Sequence, residues 1–267
     1  MVTCRHLLIV LLSLCCLPAW AARQPQRCLS CHPSHHAARG VCTDCHHGNP
    51  DSERKNIAHQ RLIPGTYIRF TLGDLTEVRA GRQLMELCAC RRCHVSGGTG
   101  NRLATNLDDV PDRKTPGELV ASIRHPALAM PDFGLDEERA VTIVSALLAN
   151  ARNRKGATKD APLVVHFDRT ATGRKDIFTR KCGACHQALT ARMGIVGSGG
   201  IGPNLSGLLT PWYPKTYGNS KAWTVPRLAR WLKNPRAVRP WARMQPVALT
   251  DSEFAKLEQI IRTKGAP

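Results

Sequence analysis

Aromatic residues make up only 5% of the 267-residue chain and there are just five Met, so large side chains alone do not fill its cores. Acidic residues are also scarce: 20 Asp plus Glu face 38 Lys plus Arg, a formal net charge of +18. Long apolar runs are missing. The longest, Leu7–Leu17, falls short of the ~18 residues that span a bilayer, so no transmembrane segment is expected once the leader is removed. Against these shortages, 42% hydrophobic content is too apolar for a disordered chain. The length allows one large domain or two to three small ones. A basic excess by itself points to nucleic acid, but 12 Cys and 11 His have no place in an ordinary basic DNA-binding fold. No nucleic-acid partner is expected.

Residues 1–21 read as a secretory signal peptide. Arg5 and His6 form a short polar start, Leu7–Leu17 the apolar run, and Ala19-Trp20-Ala21 a small-residue cleavage site. Neither Cys15 nor Cys16 follows the small residue that a lipid-attachment site requires. The mature chain is expected to be exported, bacterial-fashion, to the periplasm or another extracytoplasmic space.

Nine cysteines follow the leader, an odd number for a simple disulfide framework. Eight of them fall into four CxxCH motifs: Cys28–Cys31–His32, Cys42–Cys45–His46, Cys90–Cys93–His94 and Cys182–Cys185–His186. Random placement at this Cys and His content gives roughly 0.02 such motifs per chain, so four are a signal. CxxCH is the attachment site of haem c: two thiols bond the porphyrin vinyls and the His supplies one axial iron ligand. Zinc is the competing chemistry, but the pairs lack the partner spacing of Cys₂His₂ or Cys₄ sites. Four CxxC pairs each followed by His do not match a thioredoxin-type redox disulfide either. Four covalently bound haems c are therefore expected. Without the leader the charge is about +17, and eight ionised propionates reduce it to about +9. A positive face and an acidic redox partner follow.

The fold class expected is mainly α, in three segments. Residues 22–72 carry two motifs only fourteen residues apart, with almost no apolar periodicity. So short a stretch cannot bury its own core. The haems must act as that core, and the segment resembles the small bis-His multihaem cytochromes. It contains no Met, so its distal ligands come from His35, His36, His47 and His59. His59, in a small amphipathic stretch away from both motifs, and His35, too close to His32 for its own haem but able to cap the other, are favoured.

Residues 73–157 and 158–267 share another order. Asp74 or Thr76 caps a helix bearing Val78, Leu84, Met85 and Leu87 into the Cys90 motif, and Thr115–Glu118 opens a second. A loop with Met130-Pro131 follows, then a last helix with Val141, Ile143, Val144, Leu147 and Leu148. After the polar linker Arg152–Asp160 the order recurs. Gly173, Ile177 and Phe178 precede Cys182, a Gly202-Pro203-Asn204-Leu205 loop follows, and Val225–Leu232 forms the middle helix. Met244-Gln245-Pro246 then precedes a helix from Asp251. Each segment resembles a class I cytochrome c domain, small and all-α. That resemblance makes Met130 and Met244 the sixth iron ligands, with Met85 left to packing and Met193 in a loop without a supporting helix. His125 is expected to be a loop residue, His166 a satisfied polar side chain, and Cys88 a buried inert thiol.

Bis-His ligation holds a haem at low potential and His/Met ligation raises it. The expected function is an exported tetrahaem electron relay, serving redox proteins or a membrane quinol-oxidising complex. The competing class is a haem enzyme, peroxidase-like or sulfur-compound-oxidising, which needs an open iron position. Four available sixth ligands weigh against it.

Overall fold

A computed structural model describes residues 27–72, 75–152 and 176–263. The expected signal peptide, Asp74, most of the expected Arg152–Asp160 linker, His166 and Gly173 lie outside the described residues. The chain is mainly helical, with two small antiparallel hairpins. It divides into two compact units, Met1–Gln60 and Arg61–Pro267.

The described part of the first unit consists of single turns. Turns of 3-10 helix at Arg27–Ser30 and Ala37–Arg39 precede α1 (Cys42–His46) and α2 (Lys55–Ala58). None of its described residues is buried. Backbone bonds from Arg27 N to Pro50 O (3.1 Å) and from Asn49 N to Ala58 O (2.9 Å) hold the turns together. The Arg27–Glu53 ion pair at 2.7 Å is exposed and contributes little.

The second unit has real cores. Its first is built on α3 (Thr76–Leu87), α4 (Pro116–Arg124) and α5 (Glu137–Arg152). Val78, Met85, Leu119, Val120, Ile123, Val144 and Leu147 are buried between them. α3 and α5 cross at Gly81, where a Cβ would stand 2.2 Å from Thr142 O and 2.8 Å from Ala146 Cβ. Only glycine permits that approach. Ile63 and Phe70 are buried in the same core. A 3-10 segment over Gly65–Leu72, which carries Phe70, packs against α5. Thr76 is the first residue of α3 rather than its cap, and Leu75 at the cap position makes no side-chain cap. At α4, Thr115 and Glu118 form a reciprocal capping box as the sequence implies.

The second core combines α6 (Ile177–Lys181), α7 (Val225–Lys233) and α9 (Asp251–Ile261), with the short α8 (Pro235–Val238) between the last two. Phe178, Leu228, Trp231, Leu257 and Ile260 fill it, and the long loop after Trp212 contributes Tyr213, Tyr217 and Trp223. Each core carries a hairpin after its haem motif. β1 (Val95–Ser96) pairs with β2 (Thr99–Gly100) about Gly97-Gly98, both at positive φ, and β3 (Ala188–Thr190) pairs with β4 (Gly194–Val196). The two cores meet through a third cluster of Cys93, Leu103, Ala129 and Leu189. Both cores belong to the one compact unit Arg61–Pro267.

Candidate haem sites

Each CxxCH motif folds as a single turn. His32 N bonds Cys28 O (3.0 Å), His94 N bonds Cys90 O (3.0 Å) and His186 N bonds Cys182 O (2.9 Å), while Cys42–His46 is itself α1. One helical turn puts positions i and i+3 on a common side and the His immediately beyond. Two thiols and an imidazole therefore reach one planar group together.

The second unit orients its imidazoles through backbone carbonyls. His94 Nδ1 lies 2.7 Å from Thr105 O, and His186 Nδ1 lies 2.8 Å from Pro203 O. A ring that donates through Nδ1 presents Nε2 as a free lone pair, which is how proteins fix a metal-binding His. Burial holds His94 below the usual imidazole range, favouring the neutral form that binds a metal. Gly202 lies against His186, where a Cβ would come within 2.2 Å of Cε1. The surrounding bonds repeat. Ala104 N reaches Cys93 O and Gly202 N reaches Cys185 O; Leu107 N reaches Val95 O and Leu205 N reaches Gln187 O. Thr105-Asn106-Leu107 is thus the counterpart of Pro203-Asn204-Leu205, a correspondence readable as sequence but carrying its function in main-chain atoms.

Thiol environments differ between motifs. Cys93 and Cys182 are buried, and burial pushes the Cys90 and Cys182 thiols up to about 12 and about 11. Cys31 and Cys185 are exposed. Cys88 is half-buried, with its pKa raised by burial and lowered back in part by Arg92.

In the first unit the histidines pair. The His32 and His59 ring centres stand 6.0 Å apart with planes at 34°, and those of His46 and His35 stand 5.7 Å apart at 84°. Two imidazoles bound to a common metal, with bonds of about 2 Å and about 1 Å more to each ring centre, hold their centres about 6 Å apart. His36 touches His35 edge-on at 5.5 Å. His36 and His47 are exposed and adopt positive φ.

Of the methionines, Met85 is buried in the α3–α5 core and Met193 is half-buried beside α6 and α9. Met130 and Met244 are half-buried in the loops before α5 and α9. Trp231 Nε1 donates to Met244 Sδ at 3.0 Å, a contact that sequence reasoning did not foresee. His125 is exposed at the end of α4.

The donor chemistry suits haem c better than a bare ion. Among the described residues no three His, Cys, Asp or Glu side chains converge as a metal site. A thiol pair with one oriented imidazole is instead what a porphyrin, bringing its own four nitrogens, requires. Among the described residues, too, no helix is long and apolar enough to cross a membrane.

Residues 76–145 match the family model of cytochrome c oxidase, cbb3-type, subunit III. No curated protein and no solved structure matches the chain. The matched segment runs from the start of α3 through the Cys90 motif into α5, and its likeness to that family supports a c-type cytochrome domain there, of the kind that carries covalently bound haem c and transfers electrons.

Proposed function

We propose that the chain is an exported tetrahaem cytochrome that relays electrons between extracytoplasmic redox partners. Cys28/Cys31, Cys42/Cys45, Cys90/Cys93 and Cys182/Cys185 hold haems 1 to 4. His32 with His59, His46 with His35, His94 with Met130 and His186 with Met244 would hold the four irons. The observation that carries this reading is the pairing of His32 with His59 and of His46 with His35 at ring separations suited to a shared iron.

When bound, each haem supplies a one-electron ferric/ferrous couple. The residues of the chain set its potential and its access. Two neutral imidazoles favour ferric iron and a low potential in the first unit, while a thioether sulfur favours ferrous iron and a higher potential in the second. Electrons then run downhill from the first unit to the second. Two side chains held for every iron would leave no position for substrate, which favours a carrier over a haem enzyme. The basic balance of the chain favours an acidic redox protein, or the acidic face of a membrane quinol-oxidising complex, as partner.

An optical redox titration of the holoprotein, with carbon monoxide added to the reduced form, tests this. Two potential groups, a weak far-red methionine–iron band and no carbon monoxide shift are expected. His59→Ala and His35→Ala should each open one low-potential haem to carbon monoxide. A wild-type protein that binds carbon monoxide readily refutes the closed relay and returns the haem-enzyme reading.

A further inference from the structure

The third and fourth haem motifs are bridged by a hydrogen-bonded cluster that neither motif needs for itself. Arg92, the second spacer residue of the third motif, is only 8% exposed. Its Nη1 donates to Asn204 O at 3.1 Å, and its guanidinium lies 5.7 Å from the Tyr213 ring centre. Tyr213 Oη donates to the same carbonyl at 3.1 Å. Asn204 directly follows Pro203, whose carbonyl orients His186. The side chain of Asn204 extends the other way: Nδ2 donates to Ala129 O at 3.1 Å, next to Met130. Its Oδ1 accepts from Ser206 N and Oγ at 3.0 and 2.6 Å. Asn101 Nδ2 closes the bridge, donating to Arg92 O (2.8 Å) and to Thr210 Oγ1 (2.9 Å).

The Arg92 arm of this bridge is particular to the third motif. The counterpart of Arg92 in the fourth motif is Ala184. Ala184 carries no side-chain donor with which to reach across as Arg92 does. A buried Arg spends its charge where a planar fork and fixed geometry are needed. A carbonyl with two converging donors cannot rotate freely, and the adjoining Pro203 peptide is fixed with it.

We infer that Arg92 and Asn204 are positioning residues that join the third and fourth haem sites into one coupled pair, Arg92 acting from the third motif on the orientation of His186 and Asn204 acting on the Met130 loop. The inference rests on the proposed haem assignment. Its consequence is that a change made inside one motif is read at the other iron.

The test uses the holoprotein and Arg92→Met, Arg92→Lys, Tyr213→Phe and Asn204→Ala variants. Each haem is read by its own midpoint and by its paramagnetically shifted methyl resonances in the ferric state. Those resonances report the plane of the axial imidazole and the seating of the methionine. Arg92→Met should change the ferric-to-ferrous ratio of haem 4 at fixed potential by on the order of three- to tenfold, a tenfold change being about 59 mV. Arg92→Lys keeps the charge but loses the fork, and should disturb haem 4 as well. Asn204→Ala should move haem 3 and haem 4 together. Tyr213→Phe removes only the second donor and carries the test if Arg92→Met does not accumulate folded. A shift confined to haem 3 in the Arg92 variants, wild-type behaviour of Arg92→Lys, or an Asn204→Ala effect on haem 4 alone overturns the inference. An intact mass with fewer than four haems on the wild-type protein removes the haem assignment beneath it, a failure visible before any variant is made.

Discussion

Replacing Gly81 by Ala should destabilise the second unit, against the usual direction for that change. In an exposed helix the substitution stabilises by about 1 kcal/mol, because Ala is the better helix former. Here the added methyl would stand 2.2 Å from Thr142 O, 3.0 Å from Thr142 C and 2.8 Å from Ala146 Cβ. Two of these are backbone atoms of α5 and cannot swing away. Ordinary contact begins at 3.4 Å, so α3 and α5 must part by more than an ångström. Val78, Ala140, Val144 and Ala146, all with no exposed surface, line the crossing and would lose contact. A radial gap of about 1 Å forfeits up to half of each dispersion contact, and overpacking costs about 1–3 kcal/mol, here at the upper end. Subtracting the propensity gain leaves about 2 kcal/mol of destabilisation. In a unit of this size that lowers Tm by about 4–8 °C. Thermal melts of the two holoproteins, followed by circular dichroism, give the answer. An unchanged or higher Tm for Gly81→Ala refutes the close crossing of α3 and α5.

Three more outcomes follow from the geometry. Trp231→Phe removes the donor to Met244 Sδ and should lower the haem 4 midpoint, because the N–H dipole on the sulfur disfavours ferric iron; an unmoved haem 4 midpoint in potentiometry contradicts Met244 as the ligand. With eight cysteines in thioether bonds, the mature holoprotein should expose one titratable thiol, Cys88. Burial raises its pKa, so alkylation followed by mass spectrometry should be slow near neutral pH and accelerate as pH rises toward and beyond 9, whereas a second modified site contradicts the attachment scheme. Thr115→Ala and Thr250→Ala should each cost about 1 kcal/mol at neutral pH through loss of a helix cap. The backbone N–H of each threonine holds the carboxyl of Glu118 or Glu253 below its ordinary value of 4.5. That contribution is present above 4.5 and lost as pH falls through the lower folded value. Acid titrations of stability should therefore be steeper below pH 4.5 in the parent than in Glu118→Gln or Glu253→Gln, which remove the titrating carboxyl.

The helices of the second unit were legible because burial imposes a period. Val78 and Met85 on α3, Ile143, Val144, Leu147 and Leu148 on α5, and Leu257 and Ile260 on α9 mark one face each in the sequence and are buried in the fold. Capping chemistry was legible at Thr115, where Glu118 stands three residues on. It misled at Thr76, because the capping position falls one residue earlier on Leu75. The Gly97-Gly98 hairpin had its turn signal in plain view, yet strands of two residues leave no alternation to read. Ile63 and Phe70 escaped because isolated apolar residues among Pro and Gly carry no period; what recruits them is α5, far along the chain. The carbonyls of Thr105 and Pro203 are main-chain atoms that no side-chain identity announces. Arg92 was hardest, since an arginine between two cysteines reads as solvent-facing until a second loop covers it.

Under the proposed four-haem assignment, the contrast in burial between the two units would set a timetable for making the protein. Porphyrin must reach both thiols of a motif before its thioether bonds can form. In the second unit Cys93 and Cys182 end up inside packed cores, at 8% and 9% exposure, so compaction before attachment would shut those doors. Premature folding there is the characteristic way to yield a haem-deficient product. The first unit has the opposite problem. None of its described residues is buried, so under the proposed assignment they would gain a core only once haem arrives, and their cysteines would stay reachable until then. A cell short of haem would thus accumulate chains whose amino-terminal part is open to proteases, while the fate of the remainder is decided by a race between ligation and collapse.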